Sequence, residues 1–152
     1  MKYLPLSIIA LISIGLIGCD LGPDSPKGFN LPEGDSDTGK HVLVKYQCLA
    51  CHTIKGLEPS AEVIDNPTFS IPLGGKSTKV KTYADLLTSV INPSHKFAKG
   101  FELDVIQTDG VSKMAIYNDV MTVTELVDLV TFLQTNYELV PYTRSQYQYY
   151  GD

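Results

Sequence analysis

Cysteine is scarce in this sequence. Only Cys19, Cys48 and Cys51 occur among 152 residues, and a single C-x-x-C can be drawn from them. A zinc site would need two more ligands of the right kind, and the only histidines outside the motif are His41 and His95. Basic runs are missing too. Twelve lysines and arginines face 17 acidic residues, for a formal net charge of −5, which does not suit a nucleic-acid partner. The N-terminal apolar stretch, Leu4 to Ile17, is interrupted by Pro5, Ser7, Ser13 and Gly15. It falls short of the roughly 20 residues that span a bilayer. No sustained apolar–polar alternation marks a strand. A Ser/His/Asp set, a paired-carboxylate site and a phosphate loop are all lacking.

What stands at the N-terminus reads as an export signal. Met1-Lys2 forms a minimal positive region before the apolar stretch, and Leu16-Ile17-Gly18-Cys19 resembles a bacterial lipobox. The expectation is a lipoprotein signal peptide over 1–18, cleavage before Cys19 and a diacylglycerol on its thiol. The plainer alternative is an ordinary export signal followed by a stray cysteine. Asp20, next to the lipidated cysteine, resembles a signal for retention in the inner membrane, so the protein is expected on the periplasmic side, anchored by lipid. Residues 19–36, rich in proline, glycine and acid, read as a flexible tether. Extended, such a segment reaches roughly 55 Å.

Three helices are predicted beyond the tether. The first covers about Thr38 to Leu49, with Ser36 or Asp37 as N-cap and Val42, Leu43 and Tyr46 on its apolar face. The second opens on Thr82-Tyr83-Ala84-Asp85, a capping-box pattern, carries Leu86, Leu87, Val90 and Ile91, and stops at Asn92-Pro93. The third opens on Thr122-Val123-Thr124-Glu125, another capping box, and ends near Asn136. The prolines and glycines between them predict long loops, so the expectation is an all-α domain over 37–137. An extension over 138–152 holds Tyr142, Tyr147, Tyr149 and Tyr150. It either wraps the domain or docks a redox partner.

Cys48-Leu49-Ala50-Cys51-His52 carries the chemistry. A lone C-x-x-C in an exported protein can be a redox disulfide, but a thioredoxin-like motif needs a βαβ setting that the pattern lacks. Followed at once by histidine, the same spacing suits haem. Two thiols on one helical turn can add across the two vinyl groups, and the next residue is placed to ligate the iron. One haem c, covalently held through Cys48 and Cys51 and ligated by His52, is therefore predicted. A large apolar cofactor also explains how so loop-rich a chain fills its core.

With the motif in place, the chain resembles a class I cytochrome c. The resemblance spans roughly Asp37 to Asn136. It rests on the first helix with Gly39, the Cys48–His52 motif, the Asn92-Pro93 stop, a methionine before the last helix, and the capped last helix. It implies the class I cytochrome c fold, with first and last helices crossing near one covalently bound haem, and an iron held by His and Met. Once Met1 leaves with the leader, Met114 and Met121 are the only thioethers. Met121 precedes the last helix with Leu126 at its fourth position, the arrangement of a hydrophobic staple. Met114 lies in a loop at a spacing from His52 similar to that of the family, so Met114 is the expected sixth ligand. Met121, His95 or a lysine are the alternatives. Ala115 stands where the family usually has proline, which leaves ligand exchange open. The family also implies a proline carbonyl that accepts a hydrogen bond from the proximal histidine, here Pro72 or Pro59.

Iron with both axial positions filled changes oxidation state without binding substrate. The expected function is a single-electron carrier, not an enzyme, passing electrons between periplasmic or inner-membrane redox proteins. Lys76, Lys79, Lys81, Lys96, Lys99 and Lys113, grouped mid-sequence, would steer an acidic partner patch. The alternatives are the haem subunit of a larger oxidoreductase complex, and a haem sensor or peroxidase with a labile Met114.

Overall fold

The structure is a computed structural model and describes residues 29–59 and 69–141. The predicted leader 1–18, the predicted lipidation at Cys19 and most of the 138–152 extension lie outside the described residues. The chain divides into two compact units, Met1–Leu31 and Pro32–Asp152; the second carries the architecture that follows.

The second unit opens with helix α1, Ser36–Lys45. Its N-cap is Asp35, whose Oδ1 accepts from the Thr38 amide at 2.6 Å, so the helix starts before the predicted Thr38. The Asp35 amide donates in turn to Oδ1 of Asp128 at 2.8 Å. Helix α1 ends at Lys45, short of the predicted Leu49. Gln47 then adopts a left-handed conformation, φ 52°, uncommon for a residue with a Cβ. The turn redirects the chain into a short 3₁₀ segment, Cys48–Ala50, and so the C-x-x-C stands on a separate turn.

Helix α2 spans Tyr83–Ile91, capped by the Thr82 side chain on the Asp85 amide. Asn92 and the 3₁₀ turn Pro93–His95 end it. Leu86 and Val90 are buried, whereas Ile91, expected in the buried stripe, is at the surface. A single short turn, α3, covers Leu103–Ile106. Helix α4, Val123–Thr135, has both halves of the capping box between Thr122 and Glu125. Its buried face holds Val127, Leu129, Val130, Phe132 and Leu133. Helices α1 and α4 pack most closely on each other, and Leu43 and Val130 are almost wholly excluded from solvent. Burial of this kind contributes about 1.5–3 kcal/mol per side chain.

Six short strands among the described residues correct the all-α expectation: the unit is mixed α/β. Strands β1 (His52–Thr53) and β2 (Ile71–Pro72) run parallel; β3 (Gly75–Ser77) pairs in parallel with β6 (Tyr137–Leu139). Strands β4 (Gln107–Thr108) and β5 (Val111–Ser112) form a hairpin. Each strand is two or three residues long, too short to show a period of two in the sequence. The pairings come from tertiary proximity. Gly74 illustrates this: with φ +85° it brings the chain so near Asn136 that a Cβ would meet the Asn136 carbonyl and side chain. No helix among the described residues is long and apolar enough to cross a membrane.

Candidate cofactor site

The C-x-x-C-H segment lies where α1, α4 and the parallel pair β1–β2 converge. The 3₁₀ turn is held by the Ala50 amide on the Gln47 carbonyl at 2.9 Å and the Cys51 amide on the Cys48 carbonyl at 3.3 Å. Two ladder bonds from β2 then clamp His52: Ile71 N–H donates to Cys51 O at 2.9 Å, and Leu73 N–H to Thr53 O at 2.8 Å. The imidazole is fixed as well, because its Nδ1 lies 3.1 Å from the Ile71 carbonyl oxygen. A carbonyl only accepts, so Nδ1 carries the proton and Nε2 keeps its lone pair. The carbonyl belongs to Ile71, the residue before Pro72, and to neither Pro72 nor Pro59. Parallel pairing set His52 opposite Ile71, a register that no local pattern announces.

These residues face a cavity of about 600 Å³, within the range of about 300–1,000 Å³ typical of cofactor and ligand sites. Cys48, Cys51, His52 and Met114 all line it. Its apolar wall draws Leu43 from α1, Leu86 and Val90 from α2, and Leu129 and Leu133 from α4, closed by Phe97 and Phe101. Met121 lines the same cavity but also packs against the core. With Leu126 it borders a second, smaller hollow of about 230 Å³ beside Ile91 and Val123. Met114 is half-buried, and its amide donates to Ser112 Oγ at 3.2 Å. The amide of Ser112 is anchored on Ser94 Oγ at 3.0 Å, which ties the methionine loop to the turn after α2.

His95 also reaches the cavity wall, on the Pro93–His95 turn, with Nδ1 2.7 Å from the Asn92 carbonyl. His41 is exposed on α1. Five of the six mid-chain lysines, Lys79, Lys81, Lys96, Lys99 and Lys113, line the cavity; Lys76 does not and is exposed on β3. Asp85 is the only acidic residue in that wall among the described residues.

Tyr117 is a site residue that sequence reasoning missed. It lines the cavity, its hydroxyl donates to the Tyr46 carbonyl at 3.0 Å, and its ring meets Tyr46 edge-on at 5.2 Å between centroids. The only available signal was its position three residues beyond Met114. Burial, and secondarily the Cys48 and Cys51 thiols, raise its phenol above the ordinary value, so it remains a donor.

The electrostatics discriminate among chemistries. Burial pushes the Cys48 thiol up to about 11, whereas dithiol redox catalysts depend on a lowered thiol pKa. Burial pulls His52 below its ordinary value, with the Ile71 hydrogen bond opposing, which keeps the imidazole neutral and its Nε2 able to coordinate. Among the described residues, no three His, Cys, Asp or Glu side chains group closely enough to hold a metal ion. The arrangement suits a flat apolar group fixed at one edge by two thiols and met by an imidazole and a thioether. No family model, curated protein or solved structure matches this chain.

Proposed function

We propose that this protein is a single-electron carrier of the class I cytochrome c type, with one haem c bound through Cys48 and Cys51 and ligated by His52 and Met114. The observation that carries the reading is the set of four side chains lining one apolar cavity of about 600 Å³, with the His52 ring locked by Ile71. That set also fits the group. The thiols stand on one tight turn, the imidazole has its second nitrogen free of the carbonyl bond, and most of the wall is hydrocarbon.

When bound, the haem supplies a one-electron couple, which methionine ligation and burial shift to higher potential. The chain's own residues do the rest. Cys48 and Cys51 keep the cofactor on an exported protein that could otherwise lose it. His52 holds its Nδ1 proton on the Ile71 carbonyl, which orients the ring and raises its basicity as a ligand. Met114 would supply the second ligand, so that no position would remain for substrate and the protein would carry electrons without catalysing a reaction of its own. Leu43, Leu86, Leu129 and Leu133 exclude water. Of the mid-chain lysines, Lys76 stands outside the cavity wall and is exposed, which suits an acidic redox partner. The leader and lipobox pattern supports a location on the periplasmic side of the inner membrane, with a lipid anchor at Cys19.

The test is expression with a cytochrome c maturation system, followed by haem staining on a denaturing gel and spectra of both oxidation states with and without carbon monoxide. Covalent haem, a His–Met charge-transfer band and indifference to carbon monoxide are expected. Protein without covalent haem, matured beside a control cytochrome, would sink the reading. Ready carbon monoxide binding would instead support a sensor or peroxidase.

A further inference from the structure

The cavity wall carries a charge imbalance that electron transfer by itself does not require. Five lysines and one aspartate line it. Two of the lysines are already engaged: Lys113 Nζ donates to the Asp104 carbonyl at 2.6 Å, and Lys81 Nζ sits 5.8 Å from the centroid of the Tyr137 ring. The ammonium groups of Lys79, Lys96 and Lys99 make no hydrogen bond or ion pair among the described residues, although the Lys79 backbone bonds to Ser77 Oγ. Among the described residues the one ion pair is Lys45–Glu125, remote from this wall. Lys79, Lys96 and Lys99 are all exposed on the wall of a mostly apolar cavity, where an occupant with negative charge at its edge would be attracted to them.

We infer that Lys79, Lys96 and Lys99 form the carboxylate-binding rim of the cofactor cavity, pairing with the two propionates of the haem rather than with an outside protein. The inference rests on the haem reading above. Lysine is a compact point charge with three donors on a flexible stem. Three such groups can meet two carboxylates from the two segments that flank α2, with Lys79 before the helix and Lys96 and Lys99 after it. Nearby, Asp85 stands on α2 and His95 on the following turn. Lys81 and Lys113 add positive charge, while Tyr117 and Tyr137 supply hydroxyls. All of these are unchanged when the three lysines are replaced.

The experiment compares the full, matured protein with a Lys79→Gln, Lys96→Gln, Lys99→Gln variant and with its Lys→Arg counterpart. The midpoint potential is read across pH by spectroelectrochemistry. Opposite charge close by lowers a carboxylate pKa by about 1–3 units. The glutamine variant should therefore move the pH-dependent segment of the potential upward by about one unit or more, with a lower potential at neutral pH. The arginine variant should keep the parent profile. An unchanged profile in the glutamine variant overturns the inference. If that variant instead only weakens the salt dependence of reduction by an anionic iron complex, the lysines serve an external partner. Should the triple variant fail to mature, the three single variants are read in the same way. Absence of covalent haem in the parent is a different failure, that of the haem reading.

Discussion

Gly39 of α1 rests directly on the backbone of Asp128 in α4, so that a Cβ at position 39 would overlap the Asp128 carbonyl and crowd the Phe132 Cβ. The helix pair is pinned again one turn earlier, where Asp128 Oδ1 accepts the Asp35 amide. This crossing sets the floor of the cavity, since Leu43 and Leu129 from the same two helices line it.

Gly39→Ala is therefore expected to destabilise the domain by about 3 kcal/mol, the upper end for overpacking, because the atoms it meets are mostly backbone. Urea denaturation followed by far-UV circular dichroism measures this. A loss below about 1 kcal/mol would mean that the helices separate easily and the contact is not restrictive.

Asp128→Ala removes the acceptor for the Asp35 amide from a site that is 7 % exposed. A hydrogen bond to a charged group contributes about 1.5–3 kcal/mol, so a loss near 2 kcal/mol is expected. Asp128→Asn keeps an acceptor oxygen and should recover part of it. Equal losses in the two variants would assign the effect to the charge rather than the bond.

Glu125 links α4 to α1 through Lys45 Nζ, the Tyr46 hydroxyl and its own capping box. The Lys45 ammonium foremost, then the Thr122 amide, bring its carboxyl down from 4.5 to about 2. The folded pKa is below the unfolded one, so the contribution is complete above about pH 4.5 and is lost as pH falls toward 2. Glu125→Gln keeps the capping geometry and removes the charge. The difference in Tm between parent and variant should shrink across this window. Parallel curves from pH 5 to 2 would contradict the assignment.

Met114 and Met121 both reach the cavity, but they should respond differently to truncation. Met114→Ala is expected to abolish the His–Met charge-transfer band and admit carbon monoxide, with little loss of stability. Met121→Ala should keep the band and cost about 2 kcal/mol, the low end for a packed methionine, because it is only half-buried. The reverse pattern in the spectra would transfer the ligand role to Met121.

Local signals in the sequence carried the helices and singled out the candidate cofactor residues. Thr122 and Glu125 announce α4, Thr82 announces α2, and Asn92-Pro93 ends it, because caps and proline act through neighbours three or four residues away. Cys48, Cys51 and His52 are legible as candidates for the same reason, since the proposed chemistry rests on their spacing. Where α1 begins and ends was less legible. Its cap is Asp35 rather than Ser36 or Asp37, chosen by a partner on α4, and its end is set by the left-handed Gln47.

Long-range placement decided the remainder. The strands are too short to leave a period, so the mixed α/β character, the pairing of His52 with Ile71 and that of Gly75 with Tyr137 exist only in the folded chain. Met114, Tyr117 and five of the lysines line the same cavity as His52 although they are far apart in sequence. Sequence alone determined which side chains are candidates for the proposed chemistry, since reactivity belongs to residue type and local spacing. Which of them share a wall, and which carbonyl holds the histidine, was decided by tertiary packing, because contacts between distant segments depend on how whole helices cross.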